Sequence, residues 1–359
     1  MQLGQSVRVN WSLYTPLNPE QSNSGYPKMT TISLGIEGTA HSFGVGIVTS
    51  EGKILSNEWD MLKPDKGGIH PREASRHHSE IGPTIISEAV NKAGIGFRDI
   101  DIIAFSRGPG LGPSLRTTAT IARTLALKLD IPLVDVNHCV AHIEIGCLES
   151  KFNDPVTVYV SGGNTQVIAF AGGRFRTFGE TLDIAIGNML DVLGRELGMG
   201  FPAGPIIETI AKDGENYHNL PYSVKGMDLS YSGMLTAAKK LHSENVSIPD
   251  ICFSVQEIAF GMLAEVAERA VAHTKKSEIL LTGGVARNNR LTEILTGVSE
   301  RHEVEFHRVS PSLAGDQGAM IAWNGILQYK AGHQISVENS HVLPKWRTDD
   351  QDIIWRQSL

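Results

Sequence analysis

His138 and His142, four residues apart in His138-Cys139-Val140-Ala141-His142, are histidines whose spacing suits a shared metal ion. They follow a β-branched stretch, Leu133 to Val136, and share one face of a helix if a helix begins there. No glutamate lies between them, so the HExxH pattern of a zinc protease is absent together with its base. A third ligand is on offer from Asp316, in Gly315-Asp316-Gln317-Gly318 ahead of an apolar helical run, where its alternative role is to cap that helix. Two imidazole nitrogens and a carboxylate oxygen, with positions left open, suit iron or zinc acting as a Lewis acid.

Three glycine-rich turns supply a second kind of chemistry: Gly35-Ile36-Glu37-Gly38-Thr39, Ser161-Gly162-Gly163-Asn164-Thr165 and Gly283-Gly284-Val285-Ala286. Each follows a strand-like stretch. Glycine lets a backbone approach a phosphate closely, and a helix behind the turn offers free N–H groups. None is a Walker loop or a dinucleotide fingerprint. Two further runs carry polar groups of open purpose. His77-His78 opens a helix, where adjacent residues face different ways, so one imidazole reaches a site and the other serves structure. Ser106 to Arg116 is a Gly-Pro-rich turn whose two arginines face an anion or merely redirect the chain.

These groups must be positioned by folded elements, and the pattern predicts α/β architecture. A hairpin (Thr31 to Glu37, Val45 to Thr49) is matched about 125 residues later by another (Val156 to Val160, Gln166 to Phe170), which reads as an internal duplication. Helices are predicted over Ser75 to Ala93, Ser114 to Leu129, Ile184 to Leu197, Gly204 to Lys212, Gly233 to Ser243 and Pro249 to Thr274. Further strands are predicted over Ile100 to Ser106, Leu133 to Val136 and Glu278 to Thr282. The expected organisation is a flexible extension at 1–28, an N-terminal lobe at 29–150, a C-terminal nucleotide-binding lobe at 151–330, and a tail at 331–359 that packs back on the first lobe.

With 359 residues, 41% of them hydrophobic, the chain can bury two cores. Its three cysteines are scattered and odd in number, which points away from a disulfide framework or thiolate zinc site and toward a reducing cytoplasm. No apolar run is long enough to span a membrane. A net charge of −7 argues against broad adhesion to nucleic acid, so RNA binding needs a local patch or a basic partner. Lys239-Lys240 and Lys275-Lys276 read as solvated helix residues.

Taken in order, these motifs resemble the universal family of tRNA threonylcarbamoyladenosine synthase catalytic subunits, once described as glycoproteases. The matching runs cover roughly residues 31 to 325 and also include Tyr159-Val160 and Asp183-Ile184-Ala185-Ile186-Gly187-Asn188. Gly35-Ile36-Glu37-Gly38-Thr39-Ala40-His41 is similar to the archaeal and eukaryotic branch. The resemblance implies an actin-like, sugar-kinase-like fold of two lobes with the ligand between them. It implies one iron or zinc ion held by His138, His142 and Asp316, with Tyr159 able to approach it. It implies that Tyr159, Val160, Ser161, Gly162, Gly163, Asn164, Asp191, Gly204, Glu208 and Asn288 bind ATP or threonylcarbamoyl-AMP. The implied acceptor is the adenosine beside the anticodon of tRNAs reading codons that begin with A. The implied assembly is the KEOPS complex, with a small kinase-like ATPase, a small dimerising subunit and a further accessory subunit. The competing readings are a metallopeptidase, motivated by HxxxH, a sugar or acetate kinase, motivated by the hairpins, and a non-catalytic nucleotide-sensing scaffold.

Overall fold

The computed structural model describes residues 30–63 and 70–356; the extension expected at 1–28 lies outside them. The first half builds β1 (Ile32–Glu37), β2 (Ser42–Thr49), β3 (Ile54–Met61), α1 (Pro71–Ala93), β4 (Ile102–Gly108), α2 (Gly112–Leu129), β5 (Leu133–Asn137) and α3 (His138–Ser150). The second half builds β6 (Val156–Val160), β7 (Thr165–Ala171), β8 (Arg174–Glu180), α4 (Ile186–Glu196) and α5 (Gly204–Ala211). It continues with a short ribbon β9–β10 (Val224–Lys225, Asp228–Leu229), α6 (Ser232–Ser243), α7 (Ile248–Thr274), β11 (Glu278–Thr282), α8 (Asn289–His302), β12 (Glu305–Arg308), α9 (Pro311–Ala314) and α10 (Gly318–Lys330).

The duplication is real. One five-stranded sheet has the order β3-β2-β1-β4-β5 and the other β8-β7-β6-β11-β12. In both, three antiparallel strands are followed by two added in parallel. The parallel strands β4, β5 and β11 are buried almost throughout because helices cover both their faces.

The helices that end each half change places. α10, from the second half, lies on β1, β2 and β4 of the first sheet, and α3, from the first half, packs on β11 and β6 of the second. Close approach makes this possible: a Cβ on Gly35 would sit 2.1 Å from the backbone nitrogen of Ala322, and one on Gly46 2.1 Å from that of Ala319. α3 is buried on nearly all sides. Val140, Ile143 and Cys147 face the core of the second sheet, while Ala141 and Ile145 meet Val134, Val136, Met320 and Ile321.

Beyond α10 the chain runs along the first lobe. Ile335 bridges Leu133, Ser340 takes the Arg123 guanidinium, and Leu343 N donates to Arg107 O. It then crosses to the second lobe, where Arg347 meets Glu180, Asp352 meets Arg174, and Arg356 is buried against Glu144.

Candidate metal and nucleotide site

β5 runs directly into α3, and Asn137 caps the junction by accepting from the N–H groups of Cys139 and Val140. That cap fixes His138 as the first helical residue and puts His142 one turn further on, with ring centroids 4.7 Å apart. Asp316 comes from the loop between α9 and α10. It does not cap α10: Gln317 does, by accepting from Met320 N, which leaves the Asp316 carboxylate to the histidines. Asp316 Oδ1 is 3.4 Å from His138 Nε2 and 3.2 Å from His142 Nε2.

Among the described residues these three are the one group of His, Cys, Asp and Glu whose ligand atoms converge, all within 4.8 Å of one another. The electrostatics fit a cation. Burial opposes a proton on His138, yet the carboxylates of Glu37 and Asp316 outweigh it and hold that imidazole well above the usual histidine range. Burial alone would raise Asp316, but His138 and His142 hold it well below the carboxylate range. The pocket thus draws positive charge to the point where the ligand atoms meet.

Tyr159, on β6 and fully buried, lays its ring against His142 at 4.9 Å, and its hydroxyl accepts from Asn164 Nδ2 at 3.4 Å. Burial drives the phenol well above its ordinary pKa. Tyr159 therefore links the histidine cluster to the β6–β7 turn.

The nucleotide candidates gather around that turn. Ser161 Oγ accepts from the N–H groups of Gly163 and Asn164, at 3.3 and 3.0 Å, and Ser161 N donates to Asn164 O. Gly283, which follows β11, has a φ of +98°, and a Cβ there would lie 2.2 Å from Val160 O, so only glycine closes this approach. Gly162, Gly163 and Gly284 border open space. Asn288 caps α8, accepting from Leu291 N and donating to Gln256. Asp191 accepts from Ala203 N just ahead of Gly204, the first residue of α5, and burial raises its carboxyl pKa. Glu208, on α5, accepts from Asn289 N at 2.9 Å. Each of these two carboxylates therefore spends one oxygen on a backbone N–H.

The remaining polar runs divide. Arg107 is not free for a bound anion: its guanidinium pairs with Asp135 at 2.8 Å and donates to the carbonyls of Asn339 and His341, which fastens the tail. Arg116 is exposed. Lys239, Lys240 and Lys276 are ion-paired to Glu196, Glu244 and Asp154. His77 turns outward to Asp60 at 2.7 Å, and His78 turns inward against Phe43, with its Nε2 buried and unpartnered.

Burial and then the neighbouring His77 push the His78 pKa down to about 4. The native state holds this ring neutral while the unfolded chain protonates near pH 6.5, so stability falls as pH drops from about 6.5 to about 4, by roughly 3 kcal/mol in all. His78→Phe should flatten that part of the stability curve, measured by denaturant unfolding at several pH values. An unchanged slope would remove His78 as its source.

Sequence reasoning missed Glu37. It read the residue as part of a phosphate turn, but its carboxylate is fully buried and meets His138 Nδ1 at 3.0 Å. No local spacing joins two residues 101 positions apart.

Glu37, His138, the Ser161–Asn164 turn and Gly283 sit at the carboxyl ends of β1, β5, β6 and β11, where open α/β sheets bind their ligands. Fold and site together define a two-lobed, actin-like α/β protein with a candidate metal cluster beside glycine turns of the nucleotide-binding kind. The fold is also that of HypF from Thermococcus kodakarensis, with a TM-score of 0.61 at 16% identity over 84% of this chain and 48% of that one. Residues 53–323 match the family described as TsaD, tRNA N6-adenosine threonylcarbamoyltransferase, and the chain belongs to that family. It is 52% identical to the tRNA N6-adenosine threonylcarbamoyltransferase of Thermococcus sibiricus, over 90% of this chain and 100% of that protein. The corresponding protein of Archaeoglobus fulgidus is 53% identical, over 90% and 99%. A probable bifunctional tRNA threonylcarbamoyladenosine biosynthesis protein of Methanothermobacter thermautotrophicus is 56% identical over 90% of this chain; this chain spans 61% of its length.

Proposed function

We propose that this protein transfers the threonylcarbamoyl group of threonylcarbamoyl-AMP to the N6 amine of the adenosine beside the anticodon, in tRNAs reading codons that begin with A. The observation that carries the reading is the His138–His142–Asp316 cluster, reached through Tyr159 from the Ser161–Asn164 turn. The donor is a mixed anhydride: the amine nitrogen bonds to the carbonyl carbon, the bond from that carbon to the phosphate oxygen breaks, AMP departs with the electron pair, and the amine proton goes to solvent. The glycine turns and the N-terminus of α8 orient the phosphate. Asp191 and Glu208 each keep one oxygen for ribose hydroxyls. Iron or zinc held by His138, His142 and Asp316, with Tyr159 beside them, would supply Lewis-acid stabilisation of the developing oxyanion.

Mass spectrometry of tRNA nucleosides tests the reading. tRNA incubated with threonine, bicarbonate, ATP and an adenylate-forming enzyme should gain threonylcarbamoyladenosine only when this protein, with any partners it requires, is added. A product level equal to that without the protein would reject it. The peptidase alternative finds no support, since the carboxylate nearest the histidines, Glu37, is committed to His138 Nδ1.

KEOPS-type partners fit a chain of net charge −7 that acts on RNA. The chain alone should bind tRNA weakly, and the assembled complex tightly with a steep salt dependence, by filter binding across a salt series. Tight, salt-insensitive binding by the isolated chain would contradict this. Glu208→Ala should weaken ATP binding by roughly 1–3 kcal/mol in calorimetric titration, and Glu208→Gln, which keeps an acceptor for Asn289 N, by less. Equal affinities in both variants would return Glu208 to a purely structural role.

A further inference from the structure

We infer that Glu37 is a positioning residue that fixes the tautomer and aim of His138, and so decides whether the cluster holds a divalent ion; the inference rests on the metal-site reading above. Glu37 ends β1 and is fully buried. Its two oxygens do different work. Oε1 accepts from the backbone N–H of Thr39 at 2.7 Å and from the Thr39 hydroxyl at 2.5 Å. Oε2 stands 3.0 Å from His138 Nδ1.

The tautomer follows from counting donors. The backbone N–H of Thr39 can only donate, so Oε1 must accept, and an ionised carboxylate leaves Oε2 an acceptor too. His138 Nδ1 must then carry the hydrogen, which frees the Nε2 lone pair on the side where Asp316 Oδ1 lies 3.4 Å away. Histidines bound to metals generally have a carboxylate or carbonyl behind them in this way.

His142 has no such brace. Its Nδ1 is buried without a hydrogen-bond partner, and apart from Asp316 at Nε2 its ring is held by Tyr159 and the edge of His138. The orienting hydrogen bond therefore falls to Glu37 alone of the two. Charge points the same way. Among the described residues Glu37 has no lysine or arginine partner, so its charge and that of Asp316 are both left for the cluster.

Glu37→Gln is the decisive substitution because it keeps shape and changes one atom. Two donors at Thr39 draw the amide oxygen to their side, which turns the amide NH2 toward His138 Nδ1. A donor there demands the lone pair on Nδ1 and moves the ring hydrogen to Nε2, the nitrogen that must ligate. A merely structural role would tolerate the amide. Glu37→Asp keeps the acceptor but withdraws it by one methylene, and should fall between Gln and wild type.

The test titrates the chelator-stripped full chain with Co²⁺, followed by its ligand-field absorbance, and with Zn²⁺ against a chromogenic chelator. ATP affinity serves as the measure of an intact fold. Glu37→Gln should lose about 10- to 100-fold in metal affinity and shift the Co²⁺ spectrum, with ATP affinity within about two-fold of wild type. His138→Ala sets the floor. Wild-type Co²⁺ affinity in Glu37→Gln overturns the inference and leaves the metal site standing, whereas failure of the wild type to bind Co²⁺ or Zn²⁺ overturns the site itself. If the Gln variant does not fold, nitrogen-15 spectra of the histidine rings in zinc-loaded wild type decide. Nδ1–H with Nε2 bound is expected for His138, and ligation through Nδ1 overturns the inference.

Discussion

Replacing His138 or Asp316 by alanine is expected to lower bound metal well below one equivalent and to slow threonylcarbamoyl transfer by at least about 10²-fold, the usual cost of losing the stabiliser of a developing oxyanion. The cluster has three convergent side chains and little redundancy, since the Asp316 oxygen that faces His142 also faces His138. His142→Ala should behave alike. The fold should survive, because α3 and α10 are held by apolar contacts that these side chains do not make. Elemental analysis and single-turnover transfer measure the two effects. Metal content at the wild-type level in all three variants would dismantle the site.

Arg356→Ala should be the most destabilising of the substitutions considered, by about 3–5 kcal/mol, the cost of stranding one member of a buried ion pair. Arg356 Nε and Nη2 meet the two oxygens of Glu144 at 2.8 and 2.9 Å, Trp355 Nε1 adds a bond at 2.8 Å, and the guanidinium lies 5.2 Å from the Phe175 ring centre. Removing the arginine leaves the Glu144 carboxylate buried on the helix that carries both histidines. The double variant Glu144→Leu with Arg356→Met should regain most of the loss, because apolar groups of similar volume do not need the desolvated charges. Denaturant midpoints test both statements. A single variant within about 0.5 kcal/mol of wild type would mean that water reaches Glu144.

Much of this was legible before any coordinates. The hairpin β6–β7, the strand β11 and the helices at 112–129 and 204–211 stand where apolar periodicity and glycine punctuation put them, to within two residues or so. Five strands escaped notice, two of them the two-residue β9 and β10. β3 mixes Asn57, Glu58 and Asp60 into its partly exposed face, β8 alternates arginine and threonine with phenylalanine, and β12 is only four residues long. Edge strands such as these are recognised by a partner's hydrogen bonds rather than by hydrophobicity. Spacing suggested His138 and His142 because both lie on one helix. Asp316 stood beside Gln317 ahead of the same apolar run, and only the cap geometry separates the residue that closes the helix from the one that turns to the histidines. Glu37 and Arg356 were beyond local reasoning, since each acts on α3 from a distant part of the chain.

The exchange of α3 and α10 between the two sheets bears on how the chain is made. β1 and β2 leave the ribosome early, but the helix that covers them, α10, follows about 270 residues after β2. At roughly 5–20 residues per second, the face bearing Gly35, Gly44 and Gly46 stays bare for about 15 to 50 seconds. α3 likewise emerges before β6 and β11, the strands that bury it. Neither half can finish folding as a unit during synthesis, so the nascent first lobe is a natural client for a chaperone, and a ribosome stalled before residue 318 releases a protein with its central sheet open.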